Sequence, residues 1–328
     1  MVFEWYWAGT ILLGCIMAGM AMGFPVAFTF LITNIIGTCV FVVRNYETFG
    51  EFITEAMNKV PQVVDNAPQL ITSFTLSPIP MFILMGSMFF HTGLALRVFD
   101  ALDKLLGRIP GRLCYLTVAG GSLFSTLTGS TMANTAMLGS LLVPEMQRRG
   151  YSKTMSMGPI LGTGGLAMII PPSSLGVLLA SIAGVDVGAL LIAGILPGFV
   201  LAALYAGMIT IQLALYPEGA PSYEVERTSW KEKLYQVVVN ILPMGLIVFM
   251  VIGFIVLGWA TPSESASFGV VGVVILSTAF GVFTWTAFRT SLIGTIRVVG
   301  MVFFILMNST VFSQLLSLSG ASRGLVQW

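Results

Sequence analysis

Two short polar interruptions lie inside long apolar stretches of this 328-residue sequence, and neither contains a charged residue. The first is Ser125-Thr126-Leu127-Thr128-Gly129-Ser130-Thr131, and the second is Ile169-Ile170-Pro171-Pro172-Ser173-Ser174. Hydroxyl oxygens and the carbonyls of unwound backbone are neutral ligands that suit a small hard cation. Together the two interruptions therefore predict a cation site that uses no carboxylate.

The first interruption supplies hydroxyl groups. These groups belong to Ser125, Thr128, Ser130 and Thr131. Gly129 lets the backbone turn tightly between them. No charged residue lies between Leu113 and Pro144, so neutral oxygens alone face a cation bound here.

The second interruption supplies backbone carbonyls. Pro171 and Pro172 have no N–H group, so the carbonyls of residues 167 and 168 lack their usual helical partners. These carbonyls are available to complete the shell of the cation that the first interruption binds.

Two helical segments begin at the interruptions, near Thr131 and Ser173, and direct the positive ends of their dipoles into the same region. A carboxylate substrate can be held there without an arginine. The candidate substrate contacts are Gly129, Ser130, Thr131, Asn134, Pro172, Ser173 and Ser174. A second interpretation is that the Ser, Thr and Gly residues only pack helices together, as small residues do in membranes.

The composition predicts an integral membrane protein. Hydrophobic residues make up 56% of the chain and charged residues 9%, with a mean hydropathy of +0.93, whereas soluble domains are about 25% charged. The sequence contains no phosphate-binding loop, no nucleophile–base pair and no zinc-ligand spacing, so it predicts no enzyme. A net charge of +1 gives no indication of a nucleic-acid partner.

Seven apolar windows predict membrane spans. They are Tyr6 to Gly23, Phe24 to Val43, Leu70 to His91, Ala189 to Leu215, Gln236 to Trp259, Glu264 to Phe283 and Val298 to Leu318. Leu94 to Ile109 carries an apolar stripe opposite basic residues, which predicts an amphipathic helix in the membrane interface. Each limb of the two interrupted segments has about fifteen residues, fewer than the roughly 20 that span a bilayer.

Basic residues predict the topology, because Lys and Arg concentrate in cytoplasmic loops. Basic clusters flank residues 113–147 on both sides, which predicts a re-entrant hairpin that enters and leaves at the cytoplasmic face. The Pro171-Pro172 segment is then one crossing helix, broken in the middle. The basic residues that this topology places outside are Arg44, Lys59 and Arg323.

The chain also contains an internal echo. Phe82-Ile83-Leu84-Met85-Gly86-Ser87 recurs as Phe304-Ile305-Leu306-Met307-Asn308-Ser309. The predicted topology runs the two copies in opposite directions through the membrane, as in the inverted repeats of transporters. The second repeat ends at position 328 without a counterpart of the hairpin, so we expect this chain alone not to transport.

These patterns divide the chain into six predicted regions. They are scaffold spans of the first repeat (1–92), an amphipathic arm (93–112), a transport core (113–187) with the hairpin (113–147) and broken helix (156–187), a span closing the first repeat (188–216), a cytoplasmic loop (217–235) and the start of an inverted second repeat (236–328).

Several motifs resemble the large membrane subunit of TRAP transporters, the tripartite ATP-independent periplasmic carriers of the DctM-like family. They are the Leu123–Thr131 segment, Leu138-Gly139-Ser140, Pro144-Glu145-Met146, Arg149-Gly150-Tyr151, the Ile169–Ser173 run, the Ala193–Gly198 run and Thr261-Pro262-Ser263-Glu264-Ser265-Ala266. The likeness covers essentially the whole chain and includes a C-terminally shortened second repeat.

This resemblance implies an elevator-type inverted-repeat fold, with an incomplete second repeat, in a bacterial or archaeal inner membrane. It implies sodium-coupled import of organic acid anions such as C4-dicarboxylates, sialic acids or 2-oxo acids. The implied partners, besides membrane lipids, are a small four-helix membrane subunit and a periplasmic substrate-binding protein. The implied sodium ligands are Ser125 and Thr128 with the carbonyls of Ala167, Ile170 and Pro171. Ala167 replaces the glycine that is usual there.

Two other functions stay open on the sequence alone. One is a related ion-coupled exchanger or efflux carrier that needs no partner. The other is a truncated remnant that does not transport, which the incomplete second repeat suggests.

Overall fold

The computed structural model describes residues 5–41, 48–65, 72–107, 109–128, 131–221 and 229–327. Every regular element in these ranges is a helix, and none is a β-strand. The α-helices are α1 Trp5–Ala21, α2 Val26–Phe41, α3 Phe49–Val64, α4 Pro78–His91, α5 Leu94–Leu106, α6 Arg112–Thr128, α7 Thr131–Arg148, α8 Lys153–Gly164, α9 Leu166–Ile169, α10 Ser174–Ala183, α11 Val187–Leu215, α12 Trp230–Gln236, α13 Leu242–Val256, α14 Pro262–Ala279, α15 Trp285–Leu318 and α16 Ala321–Gln327. Short 3-10 helices lie at Phe74–Leu76 and Pro217–Gly219, and a π-helix joins α12 to α13 at Val237–Ile241.

Five helical segments of the described chain are long and apolar enough to cross a membrane. They are Phe74–His91, Val187–Leu215, Trp230–Val256, Pro262–Ala279 and Trp285–Leu318. A sixth span results if Lys153–Ile169 and Ser174–Ala183, which meet at a 43° bend, count as one broken helix. The apolar helices α1 and α2 are shorter, with 17 and 16 residues. The prediction of an all-α polytopic membrane protein is therefore confirmed, whereas the elevator and inverted-repeat details stay predictions.

The chain divides into two compact units. One comprises Met1–Phe74 with Arg297–Trp328, and the other comprises Thr75–Ile296. The buried core of the first unit joins α1 to the C-terminal segments. Its members are Ala8, Leu12, Ile16, Phe41, Phe312 and Ala321.

The second unit contains the interrupted segments and the helices that support them. Within it α4 packs closely along α14, where a Cβ atom on Gly269 would overlap the Met85 sulfur and lie 2.8 Å from Val251 Cγ2 of α13. The Ser77 and Ser263 hydroxyls, at the starts of α4 and α14, lie 2.6 Å apart. Helix α5 ends at Leu106 and is followed by Gly107, whose φ of 62° favours glycine.

Two helical segments differ from the sequence prediction. Helix α3 lies in a region for which the sequence predicted no element; the backbone N–H of Thr48 donates to the Glu51 carboxylate at 3.3 Å at its start. The last long helix begins at Trp285 rather than near Val298, so it has 34 residues. At 1.5 Å per residue it is about 51 Å long, more than the roughly 30 Å hydrocarbon core of a bilayer.

Candidate functional site

Helices α6 and α7 form an antiparallel hairpin. The Asn134 amide of α7 donates to the Ser125 hydroxyl of α6 at 3.1 Å. A Cβ atom on Gly121 would lie 3.2 Å from the side chain of Leu138. In both pairs the α6 residue and the α7 residue are equally far, in sequence, from the same midpoint. As the chain leaves this midpoint in either direction, successive residues of α6 and α7 stay paired, so the two helices are antiparallel. The sequence predicts a re-entrant hairpin over 113–147; its bounds and its insertion into a membrane from one side stay predictions.

An ion pair between a buried arginine and a partly exposed aspartate fixes the first residue of the hairpin. The Arg112 guanidinium is 4% exposed and lies 2.7 Å from the Asp103 carboxylate of α5, and it also donates to the Asp103 carbonyl. A buried charge is stable only when it is paired and hydrogen-bonded. The amphipathic helix α5 is therefore attached to the base of the hairpin.

Asn134 is the centre of a buried polar cluster. The Asn134 and Ser125 side chains are both fully buried. The two hydrogens of the Asn134 amide are shared among three acceptors: the carbonyls of Gly121 and Thr163, at 3.3 and 3.4 Å from the amide nitrogen, and the Ser125 hydroxyl. These two carbonyls can only accept, so they fix which end of the amide faces them. The hairpin and α8 are thereby joined by one side chain.

The same cluster contains an oxygen that has no partner. Asn134 Oδ1 is buried and makes no hydrogen bond to any described residue. A buried acceptor left unsatisfied costs about 1–3 kcal/mol. The Ser125 hydroxyl donates to the Gly121 carbonyl at 2.5 Å and accepts from Asn134, which leaves it one further lone pair. These two neutral oxygens are suitable ligands for a hard cation.

The second interruption begins where α9 ends, at Ile169. Ile170 has an extended backbone, with φ of −72° and ψ of 119°, and the following Pro171–Pro172 peptide bond is cis. The chain then re-enters a helix at Ser173, whose hydroxyl accepts the Gly176 N–H at 3.1 Å. This cap satisfies one of the N–H groups that a helix start leaves without a partner. The predicted break is thus present, with a helix on either side.

The hairpin packs against the segment that leads into the break. Gly121 of α6 lies so close to Thr163 of α8 that a Cβ atom there would be 2.9 Å from the Thr163 Cβ. Gly164 faces the Thr135 side chain of α7, and a Cβ on it would lie 3.6 Å from the Thr131 carbonyl. Helix α9 also packs against α6 and α7. The two interruptions therefore belong to one packed region of the second unit.

The structure locates most of the predicted site residues. Buried positions are occupied by Ser125, Asn134, Ala167, Ile170, Pro171, Pro172, Ser173 and Ser174. Thr131 is the first residue of α7 and is half-buried. Gly129 and Ser130 lie outside the described residues, as does the side chain of Thr128, the last residue of α6. In the described part of the chain, no group of three or more His, Cys, Asp or Glu residues could hold a metal ion.

Several residues next to the site were not identified from the sequence. The carbonyls of Gly121 and Thr163 bind the Asn134 amide, and no local pattern indicates such contacts across helices. Gly194 and Gly198 of α11 lie against the break, at Ile169 and Ile170 respectively. Their four-residue spacing is the small-residue pattern typical of close helix packing in membranes, and this signal could have identified them.

Comparison of the sequence with known proteins identifies the family of this chain. The family model of the tripartite ATP-independent periplasmic transporter, DctM component, matches residues 13–328. The chain belongs to the DctM family. The resemblance that the sequence motifs indicated is thus confirmed, and the family is one of transporter permeases rather than enzymes.

Individual DctM relatives carry different substrate names. The chain is 29% identical over 81% of its length to the ectoine TRAP transporter large permease protein TeaC of Halomonas elongata. It is 27% identical over 94% of its length to the 2,3-diketo-L-gulonate TRAP transporter large permease protein YiaN of Escherichia coli. It is 29% identical over 78% of its length to the C4-dicarboxylate TRAP transporter large permease protein DctM of Pseudomonas aeruginosa.

These matches cover only part of each relative. The chain spans 58% of TeaC, 68% of YiaN and 59% of the Pseudomonas DctM. The matched part therefore corresponds to about three fifths to two thirds of each relative's length. Family membership and the apolar helices together identify a multi-pass membrane protein.

Proposed function

We propose that this chain is the permease part of a sodium-coupled secondary transporter that imports an organic acid anion. The observation that carries the proposal is the buried Ser125–Asn134 cluster, with its unpartnered Asn134 Oδ1 atom, inside a DctM-family chain. A cation would satisfy this oxygen, and no ionised group lies on the hairpin between Leu113 and Pro144.

The sodium site in this proposal combines the hairpin with the break. Ser125 and Thr128 supply hydroxyls, and the carbonyls of Ala167, Ile170 and Pro171 supply the remaining oxygens. We add Asn134 Oδ1 to this set because it is buried beside Ser125 and lacks a partner among the described residues. When bound, sodium would give this otherwise uncharged site a single positive charge.

The substrate site in this proposal lies beside the sodium site. Helix α10 begins at Ser174 and α7 begins at Thr131, and helix N-termini favour negative charge. A carboxylate would contact Gly129, Ser130, Thr131, Pro172, Ser173 and Ser174. We assign Asn134, the remaining candidate contact, to the sodium site alone, because it is fully buried and its amide hydrogens already bond oxygens of the hairpin and α8. The names of the relatives support an organic solute, and we propose an acid of the C4-dicarboxylate, sialic acid or 2-oxo acid class.

The inverted repeat is proposed on the sequence echo and on similar corners in the two halves. Helix α4 is followed by Gly93 at φ 77° and then by α5; helix α15 is followed by Gly320 at φ 79° and then by α16. Only glycine adopts such φ values routinely. These corners support two related repeats, and with the interrupted segments they support an elevator-type motion of the hairpin and broken helix.

The partners are proposed from the family alone. A tripartite carrier implies a small membrane subunit and a periplasmic substrate-binding protein that delivers the solute. It also implies the inner membrane of a bacterium or archaeon. The chain's own contribution to this assembly is the membrane path, built from its apolar spans.

Sodium binding can be tested on the 328-residue chain in lipid nanodiscs. A ligand that binds only the folded state stabilises it, by about 2.7 kcal/mol at a hundred times its Kd. We expect sodium chloride to raise the unfolding temperature relative to choline chloride. Ser125→Ala and Thr128→Val should each weaken this sodium-dependent rise, because each removes one neutral ligand while largely keeping the side-chain shape.

Ser140→Ala is the matched control on the same hairpin. Its hydroxyl donates to the Met137 carbonyl of its own helix at 2.9 Å and takes no part in the cluster. This variant should keep the full sodium response. A sodium response that is equal in all three variants would contradict the proposed site, and no response in the unchanged chain would contradict sodium binding itself.

A further inference from the structure

Helix α11 packs against the break at Ile169 and Ile170, and two glycines of α11 lie at this contact. A Cβ atom on Gly194 would lie 2.5 Å from the Ile169 carbonyl oxygen. A Cβ atom on Gly198 would lie 2.6 Å from Ile170 Cγ1 and 3.4 Å from Ile170 Cα. The two glycines are four residues apart and so lie on one face of α11. We call this pair the glycine seat.

The glycine seat covers backbone that the break exposes. Ile169 is the last residue of α9, so its carbonyl is one of those that a helix leaves without an intrahelical partner. Inside a membrane such a group must be covered by protein. A glycine offers this oxygen only its Cα–H groups, which are weak hydrogen-bond donors. Any larger residue at 194 would push the carbonyl away.

Helix α11 is also attached to the hairpin and to the segment before the break. The Thr210 hydroxyl lies 2.8 Å from the Tyr115 hydroxyl of α6. A Cβ on Gly162 of α8 would lie 2.9 Å from the Tyr205 ring. One helix therefore contacts the break near one end and the base of the hairpin near the other.

We propose that Gly194 and Gly198 are positioning residues for the sodium site: they set the path of the backbone at Ile169 and Ile170, and hence the placement of the carbonyls that bind the ion. This inference rests on the proposed function. It adds two residues of α11 that bind neither ion nor substrate. They act through the backbone of the break, and Gly194 has the larger effect because it contacts backbone rather than a side chain.

The test uses the full chain in nanodiscs with sodium chloride against choline chloride. Gly194→Ala should raise the sodium concentration that gives half of the stabilisation by about tenfold, a loss of roughly 1.4 kcal/mol. Gly198→Ala should raise it less, by about threefold, since the Ile170 side chain can turn away. Gly207→Ala is the control, because Gly207 also lies on α11 and a Cβ added there would meet no atom within 4 Å.

The unfolding temperature in choline separates positioning from general damage. A purely structural effect lowers this temperature and leaves the half-saturating sodium concentration unchanged, which would overturn the inference. If Gly194→Ala does not fold, the sodium response of Gly198→Ala tests the inference. Adding Ile170→Ala to Gly198→Ala should restore the sodium affinity of that variant, because it removes the Cγ1 atom that the new Cβ would meet. A double variant that stays as weak as Gly198→Ala would also overturn the inference.

Failure of the inference differs from failure of the proposed function. If the unchanged chain responds to sodium and both seat variants respond equally well, the seat is wrong and the sodium site stands. If the unchanged chain does not respond at all, both are wrong.

Discussion

The two copies of the echo make their helix contacts in different chemical ways. In one unit, Met85 of α4 lies against Gly269 of α14, and sulfur fills the space that glycine leaves. In the other unit, the Asn34 amide of α2 donates to the Asn308 carbonyl of α15 at 2.8 Å. The copies differ only at Gly86 and Asn308. Nearly the same apolar sequence thus packs closely against a glycine in one place and accepts a buried amide in the other.

This difference shows what each contact requires from its neighbour. Close packing requires a position without a side chain, and Gly269 is such a position. The amide contact needs only a backbone carbonyl, which any residue at 308 offers. Asn34 is 4% exposed, and its Oδ1 atom has no hydrogen-bond partner among the described residues. The polar contact therefore includes an unsatisfied atom that the apolar contact avoids.

The largest expected effect breaks the apolar contact. Gly269→Val places a branched side chain against the Met85 sulfur and within about 2.8 Å of Val251 Cγ2. Overpacking of this kind costs about 1–3 kcal/mol, and we expect a loss near the upper end. Reversible unfolding in mixed micelles, followed by circular dichroism, measures it. Gly14→Val is the control, because open space surrounds Gly14; equal losses in both variants would contradict the contact.

A smaller effect is expected from removing the buried amide. Asn34→Ala should lose about 1 kcal/mol, since hydrogen bonds between membrane helices average about 0.6 kcal/mol and reach about 1.7 kcal/mol. Asn240→Ala serves as comparison, because the Asn240 amide bonds Gln236 of the same helical segment at 2.6 Å. The same unfolding assay applies. If Asn34→Ala is as stable as the unchanged chain, the amide does not hold α2 to α15.

The smallest effect sharpens the role of the backbone. Asn308→Ala removes a side chain that bonds the Phe304 carbonyl of its own helix, but it keeps the carbonyl that Asn34 uses. We expect the stability to stay within about 0.5 kcal/mol of the unchanged chain, because the better helix propensity of Ala offsets the lost bond. A loss as large as that of Asn34→Ala would mean that the Asn308 side chain, not its carbonyl, holds the two helices together.

The sequence predicted features whose cause is local. Proline has no N–H group wherever it stands, so Pro171 and Pro172 predict a break from the sequence alone. The flanking basic residues and the absence of charge predict a hairpin around Ser125 in the same way. Helix α3 also has a local signal, the Thr48-x-x-Glu51 pattern of a capping box, which the apolar windows did not include.

Features that depend on distant segments could not be predicted in this way. Asn134 binds the Thr163 carbonyl, 29 positions away, and Gly194 of α11 faces Ile169 of α9. Nothing in the local sequence indicates which helices will meet. The start of α15 at Trp285 could not be predicted from apolar windows either. The segment around Arg289 is too polar for such a window, yet it belongs to the same helix.

The lack of ionised groups between Leu113 and Pro144 of the hairpin has an electrostatic consequence under the proposed function. Moving a bare ion into a medium of low dielectric constant costs on the order of 20 kcal/mol in the idealised limit. An empty site made of neutral oxygens carries no such self-energy. A site holding sodium alone carries one positive charge, and a carboxylate beside it cancels that charge. For a substrate with a single carboxylate, the empty and the fully loaded states are then the two electrically neutral ones, so a carrier of this design favours moving both solutes together or neither.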